Sequence, residues 1–170
     1  MTQVYKIKKI FRIPFLVAVV FLFVLLALSF FSGQIWEQIL IAVLCVVTLV
    51  IAVEAFEREV AVSENGLRIK KFFRTKHFTW AEITHLGVVI MRNKAYFLLT
   101  TTRGFYMLSN LLQDHTLLIR TLTDKLGDEK VEAEVKTYLE NPIERTSLVV
   151  LTFIALIIIV AIILTKLIKL

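Results

Sequence analysis

Three stretches without a single charge constrain this chain more than any other feature. Twenty-four uncharged residues separate Arg12 from Glu37, 16 separate Glu37 from Glu54, and 20 separate Arg145 from Lys166. A helix rises about 1.5 Å per residue, so roughly 20 apolar residues cross the ~30 Å hydrocarbon core of a bilayer. The first and third stretches meet that length. The second meets it when its helix begins near Gln34 or Ile35, which sets Trp36 at the lipid–water boundary that Trp favours. The expected spans are 13–32, 35–54 and 146–166, the first two joined as a transmembrane hairpin. A secretory signal peptide is the competing reading of the N-terminus. Its apolar region would run about 7–15 residues to a small-residue cleavage site. Here 19 residues run from Ile13 to Phe31, and Ser29-Phe30-Phe31-Ser32 is a poor site.

Charge sets the expected orientation. Lys6, Lys8, Lys9 and Arg12 precede the first span, and the loop between the first two spans has no Lys or Arg. Residues 57–146 carry 14 Lys and Arg. The positive-inside rule then puts the basic N-terminus, 1–12, and the middle segment in the cytoplasm. Lys166 and Lys169 fall on the far side, where lysines can snorkel to the interface. The net charge of +6 suits an anionic leaflet and does not by itself call for nucleic acid. Cys45, the single cysteine, lies inside the second apolar run. One cysteine excludes an internal disulfide or a cysteine zinc site within one chain.

The middle segment alternates with period two. Val60 and Val62, then Leu67 and Ile69 against Arg68 and Lys70, then Phe78 and Trp80 against His77 and Thr79 read as half-buried strands. Glu64-Asn65-Gly66 is a strong hairpin turn. Ile83 to Met91, 95–102 and 105–108 continue the meander through turns at Arg92-Asn93-Lys94 and Arg103-Gly104. Six strands can be counted, and a seventh either hides in the long stretch from Ile83 to Met91 or is absent. Phe78, Trp80, Phe97 and Phe105 are the expected interior aromatics of a small barrel.

The period then lengthens. Ser109 or Asn110 can cap a helix in which Leu111, Leu118, Ile119, Leu122 and Leu126 recur at helical spacing, ended by Gly127. A second helix, Asp128 to Glu140, is acidic in its first turn, has a stripe of Val131, Val135 and Leu139, and stops before Pro142. It reads as an acidic linker, 128–145.

Strands followed by one amphipathic helix give the order of a pleckstrin-homology-like (PH-like) barrel. The steps Val62-Ser63-Glu64-Asn65-Gly66-Leu67-Arg68, Phe78-Thr79-Trp80-Ala81-Glu82-Ile83 and Thr102-Arg103-Gly104, with the leucine helix, carry the likeness. Segment 57–127 resembles the bacterial PH-like domains found fused to membrane helices. The resemblance implies an antiparallel barrel closed by its C-terminal amphipathic helix, and a bacterial inner-membrane protein with this domain in the cytoplasm. It implies no shared activity or ligand.

No catalytic constellation is present. His77, His85 and His115 lack the carboxylate or Cys spacing that completes a metal site, and are expected to be exposed or capping. The five glycines form no phosphate loop, and no nucleophile elbow occurs. The cores of the apolar spans hold no ionisable residue of the kind that marks an ion path, and Glu37 and Glu54 lie at helix ends. Their hydroxyls, Ser29, Thr48 and Thr152, are expected to bond their own backbone.

One cluster combines charge with aromatics: Lys70, Lys71, Phe72, Phe73, Arg74 and Lys76, at the turn between the second and third strands counted above. Eukaryotic PH domains bind phosphoinositides through basic residues in such a hairpin. The cluster is either a contact for anionic lipid phosphates or a hairpin tip that packs inward or on a partner protein. The expectation is a non-enzymatic, membrane-anchored interaction module without a cofactor, an accessory or scaffold subunit of a membrane complex. Its partners would be the bilayer and a membrane protein or a second copy of itself. An anionic-lipid-sensing regulator is the alternative, and a transporter or enzyme subunit a weaker third.

Overall fold

A computed structural model describes residues 2–32, 34–71, 74–144 and 146–169. The chain divides into two compact units. Residues 1–8 and 57–146 form one, and 9–56 with 147–170 form the other.

Among the described residues the first unit contains seven strands, one more than the six counted from the sequence. The additional strand, β1 (Gln3–Lys6), lies in the basic N-terminal segment, ahead of the first long helix. It pairs antiparallel with β2 (Glu59–Ser63), bringing Lys6 opposite Glu59 and Gln3 opposite Val62. β2 pairs with β3 (Gly66–Lys71), and β3 with β4 (Arg74–Thr79). A second sheet runs β5 (Ile83–Met91), β6 (Lys94–Thr101), β7 (Gly104–Ser109), all antiparallel. The four-stranded and three-stranded sheets do not close into a continuous barrel.

Alternation explains the sheets' faces. Residues directly opposite across a ladder point the same way, so Tyr5, Val60, Ile69 and then Val62, Leu67, Phe78 share one face. All six are buried. The matching face of the second sheet carries Leu86, Ala95, Phe97, Leu99 and Leu108, also buried. The β2–β3 turn needs glycine at 66. Its φ is +153°, and a Cβ there would sit 2.0 Å from the Phe78 carbonyl oxygen.

The aromatic expectations divide. Phe78 and Phe97 are interior, whereas Phe105 is 80% exposed. Trp80 leaves the strand for a 3₁₀ turn, Trp80–Glu82, and donates from Nε1 to the Glu64 carbonyl at 2.9 Å. Glu82 accepts from the Thr79 N–H at 2.8 Å. That bond, with Arg103 nearby, holds its carboxyl below the usual range.

The leucine helix α3 (His115–Leu126) begins later than the Ser109 or Asn110 cap would place it. Asp114, in left-handed geometry, occupies the cap position. Leu118, Ile119, Leu122 and Leu126 are buried, as their spacing predicts. The acidic segment is not one helix from Asp128. Asp128–Lys130 is a 3₁₀ turn, Val131 bridges in parallel to Leu86, and α4 (Ala133–Glu140) follows. α4 packs on β5, and its buried face is Val135 and Tyr138 rather than Leu139.

The second unit holds α1 (Lys9–Ser32), α2 (Ile35–Glu57) and α5 (Ser147–Lys169), three helices long and apolar enough to cross a membrane. Among the described residues α1 packs most extensively on α5. On α2, Ile41, Cys45, Ala52 and Ala55 are buried. That recurrence of about 3.5 residues is the spacing of a helix–helix seam. Leu25, Ile41 and Cys45 cluster with Leu22, Leu26 and Ile163, so all three helices meet there. Ser29, Thr48 and Thr152 donate to the carbonyls of Leu26, Leu44 and Leu148, the self-bonding expected of them. Lys166, 13% exposed, pairs with Glu37 at 2.7 Å. A carboxylate on the same end of the bundle thus answers the charge that ran against the positive-inside count.

Candidate functional site

The ladder register divides the basic cluster between two faces. Lys71 opposes Arg74, and Ile69 opposes Lys76, on the face that is core at Leu67, Ile69 and Phe78. Lys70 lies on the opposite face with Arg68 and Thr75. There it pairs with Glu57, and Arg68 pairs with Glu59 at 3.0 Å. The Glu57 carboxylate raises the Lys70 ammonium above its ordinary range. Phe72 and Phe73 lie outside the described residues.

Lys71, Arg74 and Lys76 line a cleft of about 560 Å³ together with Ile69, Phe105, Tyr106 and Met107. The core-facing side of β3 and β4 thus turns cationic toward its open end. Three consecutive residues of β7 border the cleft, so the strand's edge, and not one of its faces, forms the second wall. β7 is the terminal strand of its sheet, as β4 is of the other. Lys76 donates from Nζ to the Tyr106 hydroxyl at 2.7 Å and lies 5.0 Å from the centre of that ring. The Tyr106 ring also meets Phe78 at 4.7 Å. These contacts join the two walls of the cleft. Of its other lining residues, Phe105 is 80% exposed and Met107 50%. Among the described lining residues none is acidic.

Phe105, Tyr106 and Met107 escape a reading by alternation because the run Phe105-Tyr106-Met107-Leu108 is apolar on both faces. That signature ordinarily marks a fully buried strand. In an edge strand it marks an unpartnered surface, and the edge position is set by the strand order.

The same unit holds a buried polar network. His115 is 2% exposed, in contrast to the exposed or capping role expected of it. Its Nε2 lies 2.8 Å from the Tyr138 hydroxyl, which donates to the Ile143 carbonyl at 3.2 Å. Asn110, fully buried, donates to the same carbonyl at 2.8 Å. The network ties α3, the end of α4 and the segment leading to α5. Burial, helped by Lys8, pushes the His115 pKa below its ordinary value, opposed by Glu144, the Leu112 carbonyl and Asp114.

A histidine whose folded pKa is depressed binds its proton more readily when unfolded. Its contribution is therefore complete above about pH 6.5 and falls as pH drops below that value, by up to ~1.4 kcal/mol per unit until the folded pKa is reached. We expect denaturation midpoints of the full chain to fall between pH 7.5 and 5.5, with a shallower fall in His115→Gln. The same slope in that variant would remove His115 as the cause.

His85 and Glu132 form a third contact, Nε2 to Oε1 at 2.7 Å. The Glu132 carboxylate also accepts from the Val88 N–H at 3.3 Å, over Gly87, where a Cβ would lie 2.5 Å from Oε2. This fastens the segment before α4 to β5. Among the described residues no group of three or more His, Cys, Asp or Glu is arranged to hold a metal ion.

In comparisons with known proteins, the chain matches no family model, no curated protein and no solved structure.

Proposed function

We propose that this chain is a membrane-anchored, PH-like interaction module that works without chemistry of its own, as an accessory or scaffold subunit at the cytoplasmic face of a membrane. The observation that carries the reading is β1. A strand ahead of α1 pairs with the strand that follows α2, making four strands, then three, then the amphipathic helix α3. The order that the PH-like resemblance implies is strands followed by one amphipathic helix, and here a helix pair stands between the first two strands.

The pairing also supports the topology. Lys6 and Glu59, in register, sit just outside α1 and α2, so the chain leaves and re-enters the sheet at one end. Two crossings satisfy this, and α5 adds a third that takes the C-terminus to the other side. The basic residues flanking the spans favour the cytoplasm for the sheets. Three spans exceed what anchoring so small a domain requires, which favours helix contacts with another membrane protein.

A second reading, contact with anionic lipid, draws on the same register. Lys70 and Thr75 align with Lys6 and Glu59 across the ladder, so the basic ends of β3 and β4 lie at the same end of the sheet as Lys6. Each basic residue near an anionic surface is worth roughly 1 kcal/mol.

Extraction of the native protein in mild detergent, with the particle mass measured and co-migrating chains identified, tests the module reading. A large particle of fixed composition is the expected result. A particle of one or two copies of the 19.6 kDa chain plus detergent would overturn the stable-subunit reading.

A further inference from the structure

The cleft between β4 and β7 has two unlike sides, and together they specify the form of an occupant. On the core-facing side stand Lys71, Arg74 and Lys76 with no carboxylate among the described lining residues. Three cations gathered there favour an anionic occupant. On the other face of β7, Phe105 and Met107, two residues apart, are exposed and apolar. Between the two faces runs the strand's outer edge, and an unpaired edge is a row of main-chain donors and acceptors that readily pairs with another strand.

A strand added along that edge would send alternate side chains to opposite faces. Those on the inner face meet Lys71, Arg74 and Lys76, and those on the outer face lie beside Phe105 and Met107. A lipid headgroup satisfies the cations and leaves the edge and the outer face unused. We propose that the cleft takes an extended segment of a partner protein, paired along β7, with acidic residues on its inward positions and apolar residues on its outward ones. This rests on the interaction-module reading and names the partner's chemistry.

The test uses the full chain in phosphatidylcholine nanodiscs as bait for a display library of random short peptides, counter-selected on the charge-reversed Lys71→Glu, Arg74→Glu, Lys76→Glu variant. All three side chains are exposed, and Phe105→Ser provides a second variant should the triple one fold poorly. Enriched peptides should alternate acidic and apolar residues. Their affinity should fall by about tenfold or more on charge reversal, the scale of several weakened surface ion pairs. A comparable fall should follow backbone N-methylation at alternate peptide positions, which removes strand pairing and keeps the charge.

No enrichment, or binding indifferent to reversal or to N-methylation, overturns the proposal. So does hydrogen-exchange protection of 74–76 and 104–109 that arises in phosphatidylserine discs without any selected peptide, which would make the cleft a lipid site. A stable native complex found alongside a negative selection would retain the module and move its contact surface elsewhere. Absence of both would remove the module reading as well.

Discussion

Phe97→Ala will lower the unfolding free energy of the strand unit by about 3–5 kcal/mol, the usual result of emptying a large aromatic site in a packed core. Phe97 has no exposed surface. It sits on the middle strand of its sheet, opposite Val88 and Leu108. Its ring meets Tyr138 edge-on, with centroids 5.1 Å apart and planes at 79°, a favoured aromatic geometry. The neighbours belong to two strands and a helix tied down elsewhere, so they will not collapse readily into the space. Phe105→Ala is the internal control. At 80% exposure it should shift stability by no more than about 0.5 kcal/mol. Sequence patterning treats the two residues as equivalents, so the contrast tests the strand register directly. Trp80 reports the transition in full-length protein in detergent once Trp36→Phe removes the other tryptophan. Equal losses for Phe97→Ala and Phe105→Ala would reject the assignment of the two faces.

Much of this architecture is legible in the residues because it follows from local periodicity. Uncharged runs of spanning length, period-two segments and the Asn65-Gly66 turn place α1, α2, α5, β2, β3 and the β5–β7 meander with little ambiguity. What periodicity cannot show is pairing between segments distant in sequence. Gln3-Val4-Tyr5-Lys6 is too short to read as a strand and runs into the basic residues Lys8, Lys9 and Arg12, and it becomes one because Val60 and Ala61, more than fifty residues later, supply its partner.

Burial of polar groups is hidden for the same reason. His115 lies at the start of a helix whose leucines define the core face, and nothing in the helix announces that Tyr138 and Ile143 will enclose it. The candidate site was half legible. Lys70, Lys71, Arg74 and Lys76 stand out as a basic run. Their division into a paired outer residue, Lys70, and an inner trio depends on the β3–β4 register, and the opposite wall, Phe105 to Met107, comes from another sheet.

Ile7→Asp will cost the strand unit about 3–5 kcal/mol, the scale of placing an unpaired charge in an apolar interior. A sequence reading predicts no such effect, because the residue lies in a short basic segment ahead of a membrane-length helix. In the structure Ile7 is 4% exposed and bridges antiparallel to Leu112. The backbone around it is bound on both sides of that bridge, Lys8 N–H to the Leu111 carbonyl at 3.1 Å and Gln113 N–H to the Lys6 carbonyl at 2.7 Å. The small cavity it lines is bordered mainly by apolar side chains, among them Val60, Ile69, Leu108 and Leu111, and its polar members are Ser109 and Arg58, the latter already engaged in another interaction. The aspartate would take up a proton or break the bridge, and either route weakens β1. Val4→Asp places the same charge on the same strand at a position 47% exposed, and should cost no more than about 0.5 kcal/mol. Denaturation followed through Trp80, in the Trp36→Phe background, separates the two. If Ile7→Asp proves as mild as Val4→Asp, then β1 contributes nothing to the unit. The strand count returns to six, and the pairing that carries the proposed reading is lost with it.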